Sequence, residues 1–194
     1  VFLLLLVLPL TTADETSIEV FSSYRNTVWD FIGNHYQFGI NNMSVKNPGV
    51  WIKEFSGVHF DSKSNDDVRA FYISNTVCHY MPKGIMESFP NIEGFQVYNT
   101  GLKAITQQDL EPYKKLKGIW LNENNLNSLE SNLFKFNPDL KIVNLSENKI
   151  RRIAVDIFDP IDNLAEVYLL NNVCVSRNEK GKIDINKIQW TIME

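Results

Sequence analysis

The sequence predicts an α/β-type repeat solenoid: a curved stack of about five 24-residue units, a parallel sheet on the concave face, and a cap at each end. Three observations predict it. First, stepping by 24 from Val68 gives Val68, Ile92, Leu116, Leu140 and Leu164. The same step gives Phe71, Phe95, Ile119, Val143, Val167, then Ile73, Val97, Leu121, Leu145, Leu169, then Cys78, Leu102, Leu126, Ile150, Cys174. In a chain that is 44% hydrophobic, twenty apolar residues at twenty such positions is roughly a one-in-ten-million chance before allowing for choice of frame. Second, a polar column runs at the same step: Thr76, Thr100, Asn124, Asn148, Asn172. Third, the segments before and after these units are rich in large apolar residues but fall out of register with the repeat.

Residues 1–13, from Val1 to Ala13, read as a partial secretory signal peptide: an apolar run followed by small residues suited to cleavage after Ala13. The run is too short to span a bilayer. Secretion to the extracellular space is the expectation, and the triplets at Asn42 and Asn144 are acceptor sequons consistent with a secreted glycoprotein. Residues 14–67 are expected to form the N-terminal cap. Their aromatic residues, Phe21, Tyr24, Trp29, Phe31, Tyr36, Phe38, Trp51 and Phe55, supply what is needed to cover the open apolar end of a first coil. Within the cap, Val20, Tyr24, Val28 and Phe31 suggest a short amphipathic helix over 17–32. Turns are expected at 41–42 and 47–49, a strand at 51–55, and a polar loop at 61–67.

Residues 68–178 carry the repeats, each obeying L-x-x-L-x-L-x-x-N-x-L. A buried asparagine in the ninth position can bond the backbones of successive coils, and threonine can do part of this. Met86, Leu110, Phe134 and Phe158 form a further apolar column for the convex side, and Pro82, Pro90, Pro112, Pro138 and Pro160 fall where no strand needs an N–H. Residues 179–194, with Ile183, Ile185, Ile188, Trp190 and Ile192, read as the C-terminal cap.

The repeat resembles the extracellular class of leucine-rich repeat, over about residues 68–178. The wider chain resembles secreted leucine-rich-repeat proteins of insects. The matching residues are Phe55-Ser56-Gly57-Val58-His59, Asn65-Asp66-Asp67-Val68, Tyr80-Met81-Pro82 with Gly84, Phe89-Pro90-Asn91-Ile92, Asn172 and Cys174-Val175-Ser176. Members commonly carry cysteines in both caps; here Tyr36-Gln37-Phe38 has none and none follows Cys174. The resemblance implies extracellular recognition, in innate immunity or extracellular signalling.

The two cysteines, Cys78 and Cys174, share one inward column four repeats apart. Strands about 4.8 Å apart would put them roughly 19 Å apart, against the limit of about 7 Å for a disulfide. No disulfide is expected, and Cys78 should behave as a small hydrophobe. With 19 basic and 23 acidic residues and a net charge of −4, the chain lacks the clustered basic charge that nucleic acid or an anionic membrane requires. No membrane span is expected, since no apolar run of membrane length follows the leader.

Strand alternation turns three columns onto the concave face: Ala70, Gly94, Gly118, Ile142, Glu166; then Tyr72, Gln96, Trp120, Asn144, Tyr168; then Ser74, Tyr98, Asn122, Ser146, Leu170. Tyr72, Gln96, Tyr98, Trp120, Asn122 and Tyr168 are the expected partner-binding residues, because exposed Tyr and Trp dominate interfaces. The small Ala70, Gly94 and Gly118 should leave a shallow trough beside them. The partner is expected to be an extracellular protein, peptide or glycan. Aromatic laddering across strands for stability alone is the other reading of the column. The alternative function is structural self-association, as a homodimer. A glycan on Asn144 would cover the trough. No catalytic residue, metal or cofactor is expected. His35, His59 and His79 sit in no motif with Ser, Cys or Asp, and the acids at 61–67 lack the spacing of a calcium loop.

Overall fold

A computed structural model describes residues 17–29, 32–154, 156–173 and 178–180, the last as backbone. The expected leader at 1–13, Cys174 and nearly all of the C-terminal cap lie outside the described residues.

The cap opens with strands β1 (Ser17–Phe21), β2 (Ser23–Trp29), β3 (Gly33–Ile40), β4 (Ser44–Val45) and β5 (Trp51–Ser56). The helix expected over 17–32 is therefore replaced by two strands. Val20 and Tyr24 are buried, as the helical spacing required, but Val28 is 73% exposed. The segment is rich in β-branched and aromatic side chains, Ile18, Val20, Thr27, Val28 and Trp29 among them, which favour the pleated backbone. β1 pairs with β5, and β2 turns back antiparallel onto β3 from Ser23↔Gly39 to Trp29↔Gly33.

The repeats follow as β6 (Val68–Ser74), β7 (Val77–Cys78), a one-turn helix α1 (Ile85–Ser88), β8 (Gly94–Tyr98), a one-turn helix α2 (Gln107–Leu110), β9 (Gly118–Trp120), β10 (Ser128–Leu129), β11 (Ile142–Asn144), β12 (Arg152–Ile153) and β13 (Glu166–Tyr168). β14 (Asn178–Lys180) closes the described chain. One eight-stranded sheet has the order β14-β13-β11-β9-β8-β6-β3-β2. It is parallel from β3 to β13, with an antiparallel pair at each end. The register is the 24-residue step itself: Tyr72 opposes Gln96, which opposes Trp120, which opposes Asn144, which opposes Tyr168. The chain is thus a curved leucine-rich-repeat stack. The expected turns, the strand at 51–55 and the prolines off the strands all fall in place. Helix is sparse: among the described residues the convex side is mostly turns, with α1 and α2 one turn each.

The inward columns fill the core. Phe71, Phe95, Ile119, Val143 and Val167 are fully buried, as are Ile73, Val97, Leu121 and Leu145. The convex column behaves similarly at Leu110, Phe134 and Phe158, while Met86 is half-buried. The cap seals the first coil with aromatic rings. Phe38 packs on Phe71 at 5.8 Å and on Phe55 at 5.7 Å, and Phe55 meets Phe89 at 4.9 Å. Cys78 is free and buried; its thiol donates to the Tyr80 carbonyl at 3.2 Å, and burial pushes it up to about 12.

Coil is joined to coil by the polar column. The Asn124 Oδ1 accepts from the N–H groups of Thr100 and Leu102, both at 3.1 Å, while its Nδ2 donates to the Val97 and Leu121 carbonyls at 2.8 and 3.0 Å. Asn148 does the same for Leu126, Leu121 and Leu145, and Asn172 for Ile150, Leu145 and Leu169. Threonine makes fewer bonds: the Thr100 hydroxyl reaches the Cys78 carbonyl at 3.3 Å, and Thr76 bonds Met43 of the cap. Leaving buried amides unpaired costs about 1–3 kcal/mol. We therefore expect Asn124→Leu to lower unfolding free energy in urea by about 2–4 kcal/mol, and Asn124→Thr by about half that. Equal losses would remove the ladder as the reason for asparagine.

Candidate functional site

The outward positions of β6, β8, β9, β11 and β13 form the concave face. Its first column is closed to solvent over four of its five positions: Ala70, Gly94, Gly118 and Ile142 are buried, and Glu166 is half-buried. The trough expected beside the aromatic column is filled. A Cβ on Gly94 would fall 2.2 Å from Ile32 Cδ1 and 2.8 Å from Trp29 Cε3. Trp29 ends β2 and Ile32 precedes β3, so the cap hairpin lays its tip over the sheet. Over Gly118 the cover is the Trp120 ring, whose Cη2 would lie 2.4 Å from an added Cβ, with Ile142 beside it. Small residues here let rings come down onto backbone.

Trp29 is the residue that the periodicity missed. Its ring meets Trp120 edge-on at 4.9 Å and His35 at 5.3 Å. Such aromatic pairs contribute about 0.5–1.5 kcal/mol beyond burial. The cap lacks the repeat, so only the run of small residues at 70, 94 and 118 signalled that something covers them. Val28, Trp29, Gln96 and Trp120 together line a cleft of about 230 Å³.

The expected partner-binding residues divide into three groups. Tyr72 is drawn to the cap: its ring lies over the Gly39 backbone, and the Arg25 guanidinium stands 4.9 Å from its centroid. Trp120 and Gln96 join the cleft. Tyr98, Asn122 and Tyr168 are half-exposed on the uncovered part of the face. The Tyr98 hydroxyl bonds the Glu123 carboxylate, which, with the charge of Glu123 beside it, raises the phenol above its ordinary pKa. The Tyr168 hydroxyl donates to Glu166. Asn144 is half-buried, and its Oδ1 accepts the Ser146 N–H at 3.0 Å; Asn42 is exposed. None of the six is packed in the core.

Under the hairpin tip, polar groups are imperfectly paired. The His35 Nδ1 donates to the Gly33 carbonyl at 2.7 Å, and the buried Nε2 has no partner among the described residues. Gln37, fully buried opposite Ala70, has no partner for either carboxamide atom among the described residues. Burial holds the His35 imidazole below its ordinary value of 6.5, against the Gly33 carbonyl and the Glu93 charge, which favour protonation.

A leucine-rich-repeat family model matches residues 114–173. Among solved structures, a chain of the Drosophila Toll–Spatzle complex, titled a molecular hub in development and innate immunity, is 22% identical with a TM-score of 0.52. That match covers 64% of this chain and 17% of the other. The glycosylated form of the complex gives 24% identity and a TM-score of 0.50, covering 57% of this chain and 15% of that one. The chain spans less than a fifth of the length of these neighbours. No curated protein matches. Among the described residues no helix is long and apolar enough to cross a membrane. The leucine-rich-repeat solenoid is a scaffold typical of protein-binding modules.

Two measurements probe the covered strip. Gln37→Met replaces an unpaired carboxamide with an apolar side chain of like length, so unfolding free energy should rise by about 1–2 kcal/mol; a fall would mean that the carboxamide is satisfied. A histidine held neutral by burial contributes stability that is complete above pH 6.5 and is lost as pH falls below that value toward the lower folded-state pKa. Urea stability should fall from pH 7 to pH 5, and His35→Phe should flatten that slope. His79, also held low by burial and by Lys103 and Lys46, is less buried than His35 and leaves the smaller residual slope. A slope unchanged in His35→Phe contradicts this placement.

Proposed function

We propose that this leucine-rich-repeat solenoid is a recognition module that binds a protein partner on the open part of its concave face. The observation that carries the reading is the set of half-exposed aromatic and amide side chains on three parallel strands of one sheet: Gln96 and Tyr98 on β8, Trp120 on the adjacent β9 with Asn122 just past it, and Tyr168 on β13, one strand further on beyond β11. Rigid aromatic rings offer large contact area at low entropic cost. Tyr72 sits at the cap end of the same column and forms its border. Trp29, absent from the periodic reading, is added to the contact set through its ring contact with Trp120.

The likeness to the Toll–Spatzle complex supports a protein partner as the class. On this reading residues 14–67 serve as the N-terminal cap, 68–178 as the recognition surface and 179–194 as the second cap. Secretion to the extracellular space follows from the reading of residues 1–13 as a leader, and recognition in innate immunity or extracellular signalling is the role we infer. Asn42 is the better glycan acceptor, being exposed on the cap, whereas a glycan on Asn144 would obstruct the binding strip.

Pull-down from the source extracellular fluid, followed by titration of the captured protein, tests the reading. Tyr98→Ala and Trp120→Ala should each weaken binding about 10–100-fold, the size of a loss at an interface hot spot, with the far-ultraviolet circular dichroism spectrum unchanged. Affinity unaltered in both variants would move the interface elsewhere.

A further inference from the structure

A second pocket, of about 210 Å³, opens on the convex side between the first two coils, away from the aromatic strip. Its construction begins with backbone. The Ile52 N–H donates to the Lys83 carbonyl and the Lys83 N–H to the Val50 carbonyl, both at 2.9 Å. These bonds set the Trp51 indole against Gly84. At Gly84 φ is +91°, and a Cβ there would lie 2.3 Å from the Ile52 carbonyl oxygen and 2.9 Å from Trp51 Nε1. Only glycine lets the indole close this wall.

Pro82, Met86 and Pro112 supply further apolar walls. Tyr113 also lines the pocket. It is 3% exposed, its ring stands 5.0 Å from Phe95, and its hydroxyl has no hydrogen-bond partner among the described residues. Two carboxylates share the lining. Asp109 uses Oδ2 to cap α2, accepting from the Thr106 N–H at 2.8 Å and hydroxyl at 2.7 Å; that cap leaves Oδ1 unused. Glu87 is exposed and forms no ion pair among the described residues. Burial first, then the charges of Glu87 and Asp109, raises the Tyr113 phenol above its ordinary range. Lys83 is the one cation in the lining and is exposed.

This combination selects by charge and by surface. An anion would face two carboxylates. A neutral apolar molecule would leave the carboxylates and the phenol without gain. A hydrated metal ion would gain nothing from the indole. An organic cation satisfies all three, laying its apolar groups on aromatic faces and its charge near carboxylate. The volume is below the 300 Å³ or so at which drug-sized sites begin, which restricts the ligand to a compact one.

We propose that the pocket formed by Trp51, Tyr113, Met86 and Glu87 binds a small organic ammonium ion, with its alkyl groups on Trp51 and its charge facing Glu87. The site is independent of the concave face. Calorimetric titration of the whole chain with choline tests it, alongside 3,3-dimethyl-1-butanol, the neutral isostere. Saturable choline binding is expected, with the isostere weaker by about fivefold, the upper size of a cation–π contact on a partly exposed indole such as Trp51, 42% exposed. Glu87→Gln, at an exposed position that folding does not need, should weaken choline about tenfold, and Lys83→Gln should strengthen it. Trp51→Ala, checked for an unchanged melting temperature, should abolish it. Co-sedimentation with phosphatidylcholine vesicles separates sources: capture reversed by choline assigns the ammonium to a lipid headgroup, and no capture assigns it to a free amine. Absence of saturable choline binding, equal binding of the isostere, or indifference to both Glu87→Gln and Trp51→Ala would overturn the proposal.

Discussion

A coil of 24 residues cannot bury its own apolar face, and it leaves backbone groups at each turn with no partner of their own. Both problems are solved here by the next coil. The inward columns interlock, and the carboxamides of Asn124, Asn148 and Asn172 each bond backbone on two coils at once. Because those bonds need one fixed step, they hold strands 68–74, 94–98, 118–120, 142–144 and 166–168 in register. Every outward column, and with it any surface offered to a partner, inherits that alignment. The same step recurs where the chain leaves the concave strands: Asn75, Asn99, Glu123, Glu147 and Asn171 all adopt φ between +50° and +58°. These turns start the descent to the convex side.

Stacking leaves open ends, and the N-terminal end determines the character of this molecule. The cap closes it twice. Phe38 and Phe55 seal the interior against Phe71 and Phe89. The hairpin from β2 to β3 then reaches over the outer face and sets Trp29 against Trp120. The second closure covers the outward column at Gly94 while leaving His35 Nε2 and the Gln37 carboxamide without a partner among the described residues. Apolar closure outweighs the desolvation of those groups, at a cost of about 1–3 kcal/mol for each unpaired group. The cap also shapes the convex side, where Trp51 helps to enclose the pocket with Tyr113.

The legible part of the fold was the part that repeats. Val68 to Leu169 could be assigned inside or outside by counting, and the polar ladder followed from the ninth position of each unit. Tyr98 and Tyr168 were found on the outer face for the same reason. The cap was legible as aromatic mass but not as geometry. Val20 and Tyr24 satisfy a helical spacing and are buried, yet they sit on strands, because β-branched neighbours and pairing with β5 and β3 decided the backbone. The trough failed as an expectation because glycine in a strand has two meanings, open space or close approach by something else. At Gly94 that something is Trp29, from a segment with no periodicity to place it. The partner of Gly84 was hidden likewise, since Trp51 reaches it from the cap.

The account rests on one continuous stack joined through its polar column, and amide hydrogen exchange on the free protein tests that most directly. The N–H groups of Leu102, Leu126 and Ile150 are each held by the carboxamide of the following coil. The stack predicts that these three exchange as slowly as the strand amides of Phe95, Ile119 and Val143, in one unbroken block. Fast exchange at the three positions, with protection confined to separate islands on individual strands, would contradict it.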